Sequence, residues 1–245
     1  MTPKMKLRSA VVAKAKQLGG PAMTVKARCV MRGYDLPRWG NLRRTTPFSA
    51  MYGFERGQPI DRYYLDRFLA RYRDLITGAV LETQGSSYTE RFGHDVTRAH
   101  SFDIEPRFEP TYVCDFAYSG GVIPDQSYDC LLLPNTLMHF RELDRCLAHA
   151  RRVVRPGGTI LASAAGLLPL TGDVPDYWRL SPDGWREKLC EAWPGAMLEI
   201  VSYGNCLAAV SAQLGLALEE LTEAELDVQD PRFPVLTTIV CRLPR

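Results

Sequence analysis

Between Asp61 and Ile76 the apolar residues Tyr64, Leu65, Phe68, Leu69, Tyr72 and Ile76 recur at helical spacing, which predicts a helix with one buried face. The apolar run that follows, Gly78-Ala-Val-Leu, is short and unbroken and ends in an acid, Glu82, as a buried strand would. A small-residue turn, Thr-Gln-Gly85-Ser-Ser, then leads into a helix start at Tyr88. Thr97 to Asp103 is a second strand-like run ending in an acid, and Tyr112-Val-Cys-Asp115-Phe116 sets an Asp before an aromatic. Pro124 to Asn135 reads as a turn feeding a buried strand, Leu137 to Val154 as an amphipathic helix, and Arg155-Pro156-Gly157-Gly158 as a stop before another strand through Ser163. Further on, Ala196 to Ser202 and Phe233 to Arg242 are strand-like and flank an apolar helix over Leu207 to Leu218. Strand and helix alternate throughout, which predicts an α/β domain with a doubly wound, Rossmann-like parallel core.

The chain of 245 residues, 46% hydrophobic, is long enough for one large core. We expect that domain over residues 61–245, preceded by an N-terminal extension or lid over residues 1–60. Residues 1–18 predict a short basic helix stopped by Gly19-Gly20-Pro21. Residues 33–60 read as an ordered loop, because Trp39, Phe48, Tyr52 and Phe54 need packing partners. The formal net charge of +2 hides an asymmetry: Lys4, Lys6, Arg8, Lys14, Lys16, Lys26, Arg28, Arg32, Arg38, Arg43 and Arg44 face a single acid, Asp35, within the first fifty residues. Such an arm suits a phosphate-bearing substrate, a nucleic acid or an anionic membrane surface; it is equally a solvated terminus.

The seven cysteines form no C-x-x-C pair, so neither a zinc site nor a disulfide framework is indicated, and no metal is expected. No apolar run is long enough to span a bilayer, and Lys14 and Lys16 interrupt the only stretch resembling a leader core. A cytoplasmic location is the expectation.

The strand-end acid and the tight turn after it match the first βα loop of a nucleotide-binding sheet, where backbone N–H groups approach the ligand. Asp103, about twenty residues on, suits a carboxylate that accepts from ribose hydroxyls. The glycine fingerprint is incomplete, with only Gly85 present and Ser86 and Ser87 adding bulk where backbone should graze a ligand.

Taken in order, Glu82, Asp103, Asp115, Tyr128-Asp129 and Arg155-Pro156-Gly157-Gly158 resemble the class I S-adenosylmethionine-dependent methyltransferases over roughly residues 60–245. The resemblance implies a seven-stranded methyltransferase sheet whose last two strands form an antiparallel edge, with S-adenosylmethionine as cofactor. It assigns Glu82 and Gly85 to the methionine end and its loop, Asp103 to the ribose, Asp115 and Phe116 to the adenine by hydrogen bond and stacking, and Asn135 to the pocket lining. Arg62 and Tyr63 would close over the cofactor's carboxylate.

A narrower resemblance, to bacterial methyltransferase-like proteins found near glycan-assembly enzymes, lies in Gly57 to Tyr64, Asp176-Tyr177-Trp178-Arg179 and Tyr203-Gly204-Asn205. It implies O-methylation of a small-molecule acceptor: a sugar, a glycan or a secondary metabolite. His139, a residue type suited to proton removal near neutrality, or Asp176 would be the general base. Tyr177, Trp178 and Arg179 would bind the acceptor, the Trp as a flat face and the Arg as an anion clamp.

Two other readings stand beside this one. The altered glycine loop fits a catalytically inactive accessory or binding protein, and the basic arm fits an RNA methyltransferase. The absence of any recognisable RNA-binding motif makes a nucleic-acid partner the weaker expectation. A homodimer stays open.

Overall fold

The computed structural model describes residues 3–170, 172 and 174–245. Its elements in chain order are α1 (Pro3–Met31), α2 (Ile60–Arg71), β1 (Gly78–Thr83), α3 (Ser87–Phe92), β2 (Val96–Asp103), β3 (Tyr112–Val113), β4 (Tyr128–Leu133), α4 (Leu143–Val153), β5 (Val154–Ala165), α5 (Pro182–Ala192), β6 (Met197–Tyr203), α6 (Cys206–Gln213), α7 (Glu223–Asp227) and β7 (Leu236–Arg242). They fall into two compact units, Met1–Thr46 and Pro47–Arg245.

In the first unit the basic helix stops at the expected Gly19-Gly20-Pro21, but the chain does not leave helix for long. Gly20, at φ 67° and ψ −163°, breaks it, and a second helical stretch runs on to Met31. Pro21 tolerates this position because the first residues of a new helix have no internal N–H partner.

The second unit starts before residue 61, the boundary the sequence suggested. Residues 47–59 are stitched to the segment after α6. Phe48 N–H donates to the Leu214 carbonyl at 2.7 Å, Leu218 N–H to the Gln58 carbonyl at 2.7 Å, and Gln58 N–H to the Glu219 carboxylate at 3.0 Å. Hydrogen bonding to residues more than 150 positions away is invisible to local pattern, so the aromatic loop read as part of the arm.

The seven strands lie in the order β3-β2-β1-β4-β5-β7-β6. β1 to β5 are mutually parallel, and β7 pairs antiparallel with both β5 and β6. The reversed strand is therefore β7 alone, with β6 on its outer side running in the sense of the core. Core strands alternate between two hydrophobic layers. Leu131 and Leu133 of β4 and Ile160 and Ala162 of β5 face the layer holding α4 and α5, where Trp185 and Trp193 are fully buried. Cys130, Leu132 and Leu161 face the layer with Tyr64, Leu65, Phe68 and Leu69 of α2 and Ala208, Ala209 and Ala212 of α6. Parallel strands covered on both sides must be apolar on both sides, which explains the unbroken runs in the sequence.

The long helix expected over Leu137–Val154 is divided: a short turn at Leu137–His139, then α4 from Leu143. Arg155-Pro-Gly-Gly is not a turn before the strand but lies within β5, which begins at Val154 directly after α4; there, at the amino end of the sheet, Arg155 Nη1 donates to Asp129 Oδ1 at 2.8 Å. Asp129 Oδ2 also accepts from Ala79 N–H at 2.7 Å. The two most specific pieces of the sequence pattern thus fasten β1, β4 and β5 at the end opposite the candidate site.

Candidate functional site

The carboxyl ends of the four strands β3, β2, β1 and β4 carry Asp115, Asp103, Glu82 and Asn135 side by side, in sheet order. In an open doubly wound sheet this rim is where ligands bind. Two strand exits have non-glycine residues in the left-handed region, Gln84 at φ 71° and Asn135 at φ 48°. Such conformations cost energy and collect at functional sites.

Gln84 explains how the incomplete glycine loop works. Its left-handed backbone makes the turn that a glycine would be expected to make, and its N–H donates to the Phe102 carbonyl at 2.8 Å. Gly85 follows, and a Cβ built there would meet nothing within 4 Å, so the backbone at Gly85 borders open space. Ser87 does not fill that space, because it opens α3.

Glu82 is buried, only 1% exposed, and its carboxylate is fully engaged. Oε1 accepts from Tyr88 N–H at 3.1 Å, and Oε2 accepts from Thr89 N–H at 2.8 Å and Thr89 Oγ1 at 2.7 Å. Burial pushes its pKa up, and the bonds from Thr89 and Tyr88 oppose that shift. Glu82 therefore shapes the loop from beneath and presents no free oxygen to a ligand, a correction to the direct contact expected of it.

Asp103 is half-buried at the tip of β2, and Oδ1 accepts from Glu105 N–H at 2.7 Å. Its other oxygen has no protein partner among the described residues. Asp115 is exposed and accepts from Ala117 N–H at 2.9 Å, opening the short turn Phe116–Tyr118. The Phe116 ring turns the other way. It is 3% exposed and stacks on Phe102 at 4.3 Å and Phe140 at 5.6 Å, so it cannot stack on an adenine.

Arg62 and Tyr63 part company, as neighbours on a helix must. Arg62 Nη1 donates to the Tyr88 hydroxyl at 3.1 Å, which sets it beside the loop after β1. Tyr63 donates to Asp227 Oδ1 of α7 at 2.7 Å, and its pKa is raised to about 12, by burial first and then by that bond. It has no part in the Arg62 cluster.

His139 lies in the turn after β4. Its Nδ1 is 2.9 Å from the Pro175 carbonyl, and a carbonyl can only accept, so Nδ1 carries the proton. Nε2 is then the nitrogen with the lone pair, and it has no partner among the described residues.

The Asp176 to Arg179 segment corrects three expectations. Asp176, with a side chain 2% exposed, is ion-paired to Arg179 through both oxygens, so it is not a free base. Arg179 also donates to the carbonyls of Gly166 at 2.8 Å and Pro169 at 3.2 Å, which leaves no fork for an anion. Trp178 is half-buried against the core and donates its indole N–H to the Phe140 carbonyl at 2.7 Å, which makes it a fastener of the fold. Tyr177 alone, 46% exposed, stays available to an acceptor.

Sequence reasoning missed Asp61 and Ser163. Asp61, 6% exposed at the start of α2, accepts from Asn135 Nδ2 at 2.7 Å. Ser163 of β5 accepts from Asn135 N–H at 2.7 Å and donates to Asn135 Oδ1 at 3.1 Å. An acid at a helix start is ordinarily read as a dipole partner, so Asp61 gave no distinguishing signal. Asn205, in the third segment of the narrower resemblance, caps α6 and donates to the Glu225 and Val228 carbonyls. Together with Asp61 and the Asp176–Arg179 pair, it shows that this resemblance rests largely on internal fasteners.

Residues 91–162 match the family described as a methyltransferase domain. A methyltransferase from Archaeoglobus fulgidus that depends on S-adenosylmethionine has a similar structure, with TM-score 0.51 and 13% identity over 74% of this chain and 94% of that one. A protein from Listeria monocytogenes classed with it has TM-score 0.51 and 10% identity over 76% of this chain and 97% of that one. At such identities the likeness establishes the fold. No curated protein matches the chain. The chain thus has a Rossmann-like fold of the class I methyltransferase type, within which residues 91–162 carry the family match. Among the described residues there is no helix long and apolar enough to cross a membrane and no cluster suited to a metal.

Proposed function

We propose that this enzyme uses S-adenosylmethionine to methylate an oxygen of a small-molecule acceptor, a sugar, a glycan or a secondary metabolite. The observation that carries the reading is the row of Asp115, Asp103, Gly85 and Asn135 along one rim of the sheet, with open space at Gly85. In this reading Asp103 accepts from the ribose hydroxyls and Asp115 from the adenine amino group. Gly85 lines the cofactor's path, Arg62 meets its carboxylate, and Glu82 and Asn135 hold the loops that the others stand on.

When bound, S-adenosylmethionine supplies a methyl group already activated on a sulfonium. The chain's own tasks are then to align the acceptor, exclude water and take a proton. His139 Nε2 takes the acceptor hydroxyl's proton, because the Pro175 carbonyl fixes the tautomer that exposes its lone pair. Tyr177 is the acceptor-facing side chain of the loop after β5. That loop is tied over the turn bearing His139 by Tyr177 N–H to the Met138 carbonyl at 2.8 Å. The acceptor class rests on the narrower resemblance alone, in which Tyr177 is the exposed side chain left to meet an acceptor.

Calorimetric titration with S-adenosylmethionine and S-adenosylhomocysteine tests the cofactor, and Asp103→Ala is expected to weaken both at least tenfold. Unchanged affinity in that variant would sink the assignment of the rim. An acceptor screen across sugars then tests His139→Gln, expected to lose on the order of a hundredfold in turnover with cofactor affinity intact.

A further inference from the structure

We propose that the first unit is an interfacial anchor that lies on an anionic lipid surface. Eleven basic residues against Asp35 give residues 1–46 a charge of +10, while the chain as a whole carries +2. Charge alone would suit any polyanion. The side chains between the charges narrow the choice.

In the first half of α1, Leu7, Val11 and Leu18 sit at i, i+4 and i+11, within one narrow face, and all are exposed. Leu7 and Leu18 are 69% and 71% exposed. After the break at Gly20, Met23 and Val30 share a face at i and i+7, and Val25 on the other side of the helix is exposed as well. Lys14 shares the first face and Lys26 borders the second, where their long stems can lie along apolar surface while the ammonium reaches outward.

Exposed leucines, valines and methionines interleaved with lysine add little to binding along a phosphate backbone, which takes cations at phosphates and aromatics at bases. They suit a leaflet, where the apolar side chains enter the acyl boundary and the cations meet anionic headgroups. The break at Gly20-Pro21 allows each half to find its own seat on that surface. Neither half is apolar enough to cross it.

Sedimentation of the full-length protein with phosphatidylcholine vesicles, with and without phosphatidylglycerol, tests the proposal. Binding is expected to be at least roughly tenfold stronger on the anionic vesicles and to weaken with added salt. Lys14→Glu/Lys16→Glu and Leu7→Ser/Leu18→Ser should each reduce it several-fold, the second without any change in charge. These positions are exposed, so melting temperature serves as the folding control. Absence of vesicle binding overturns the proposal. So does vesicle binding that the leucine variant leaves intact, or tighter binding to an RNA oligonucleotide that the leucine variant leaves unchanged; that last result would make the arm a nucleic-acid contact.

Discussion

Asn135, two residues past β4, donates its side-chain amide to the buried Asp61 at the start of α2 across 2.7 Å. Ser163 of β5 holds the other end of the same amide, so one left-handed residue ties two strands and a helix at the rim of the sheet. Asp61→Ala strands the Asn135 amide and is expected to cost about 2 kcal/mol. That corresponds to a fall in Tm of roughly 4–8 °C for a domain of this size. It should also weaken cofactor binding, because Asn135 stands in the rim proposed to hold the cofactor. Calorimetry and thermal unfolding measured on the same sample check this; an unchanged Tm would refute the fastening role.

Glu82 and Asp103 are both strand-end acids, yet their surroundings predict opposite signatures. Glu82→Gln removes one acceptor from the Tyr88–Thr89 cradle and should destabilise the fold by about 1–2 kcal/mol while also loosening the cofactor loop. Asp103→Ala removes a half-exposed carboxylate with one local bond and should leave Tm nearly unchanged. Urea unfolding of the two variants separates a loop-shaping acid from a ligand-facing one. Equal stability losses would contradict the distinction.

The Asp176–Arg179 pair fastens the loop after β5. Asp176→Ala leaves a mostly buried guanidinium without its counter-charge, and a loss of about 3 kcal/mol is expected. Replacing both, as Asp176→Leu/Arg179→Met, should recover much of that loss, since the ion pair itself is weak evidence of net stabilisation. If the double variant is as unstable as the single one, the carbonyl contacts of Arg179 matter more than its charge.

Acid should destabilise the protein through two histidines. The pKa values of His100 and His149 are both held below the usual 6.5, by burial first and then by Arg98 and Arg152 respectively. For His149 the bond is explicit, since Arg152 Nε donates to His149 Nδ1 at 2.9 Å and a protonated ring could not accept it. Each histidine resists protonation in the folded state. The penalty is absent above the unfolded value and grows as pH falls from there toward the lower folded value. Glu82, with its raised pKa, acts in the opposite sense. Comparing the wild type with His100→Gln/His149→Gln isolates the histidines: Tm should fall between about pH 7 and about pH 5, and less steeply in the variant. Identical slopes would sink the assignment.

Local pattern determined a good deal of this protein by itself. Buried parallel strands have to be apolar on both faces, so Gly78–Leu81 and Cys130–Leu133 stood out, and the acids or amides that end them marked the rim. The stripe of Tyr64, Leu65, Phe68 and Leu69 found α2 for the same kind of reason, a period matched to one covered face. What those polar residues do was decided only by the tertiary structure. Glu82 and Asp103 look alike in sequence, and the difference is that α3 turns its N–H groups onto one and leaves the other at the edge. Asp176, Trp178 and Arg179 have the composition of a binding loop. Their partners, the Gly166, Pro169 and Phe140 carbonyls, are 10 to 38 residues away and meet them only once the chain is folded. Side-chain chemistry is a local property; whether a polar group faces solvent, a ligand or a buried carbonyl depends on which distant backbone folding brings to it.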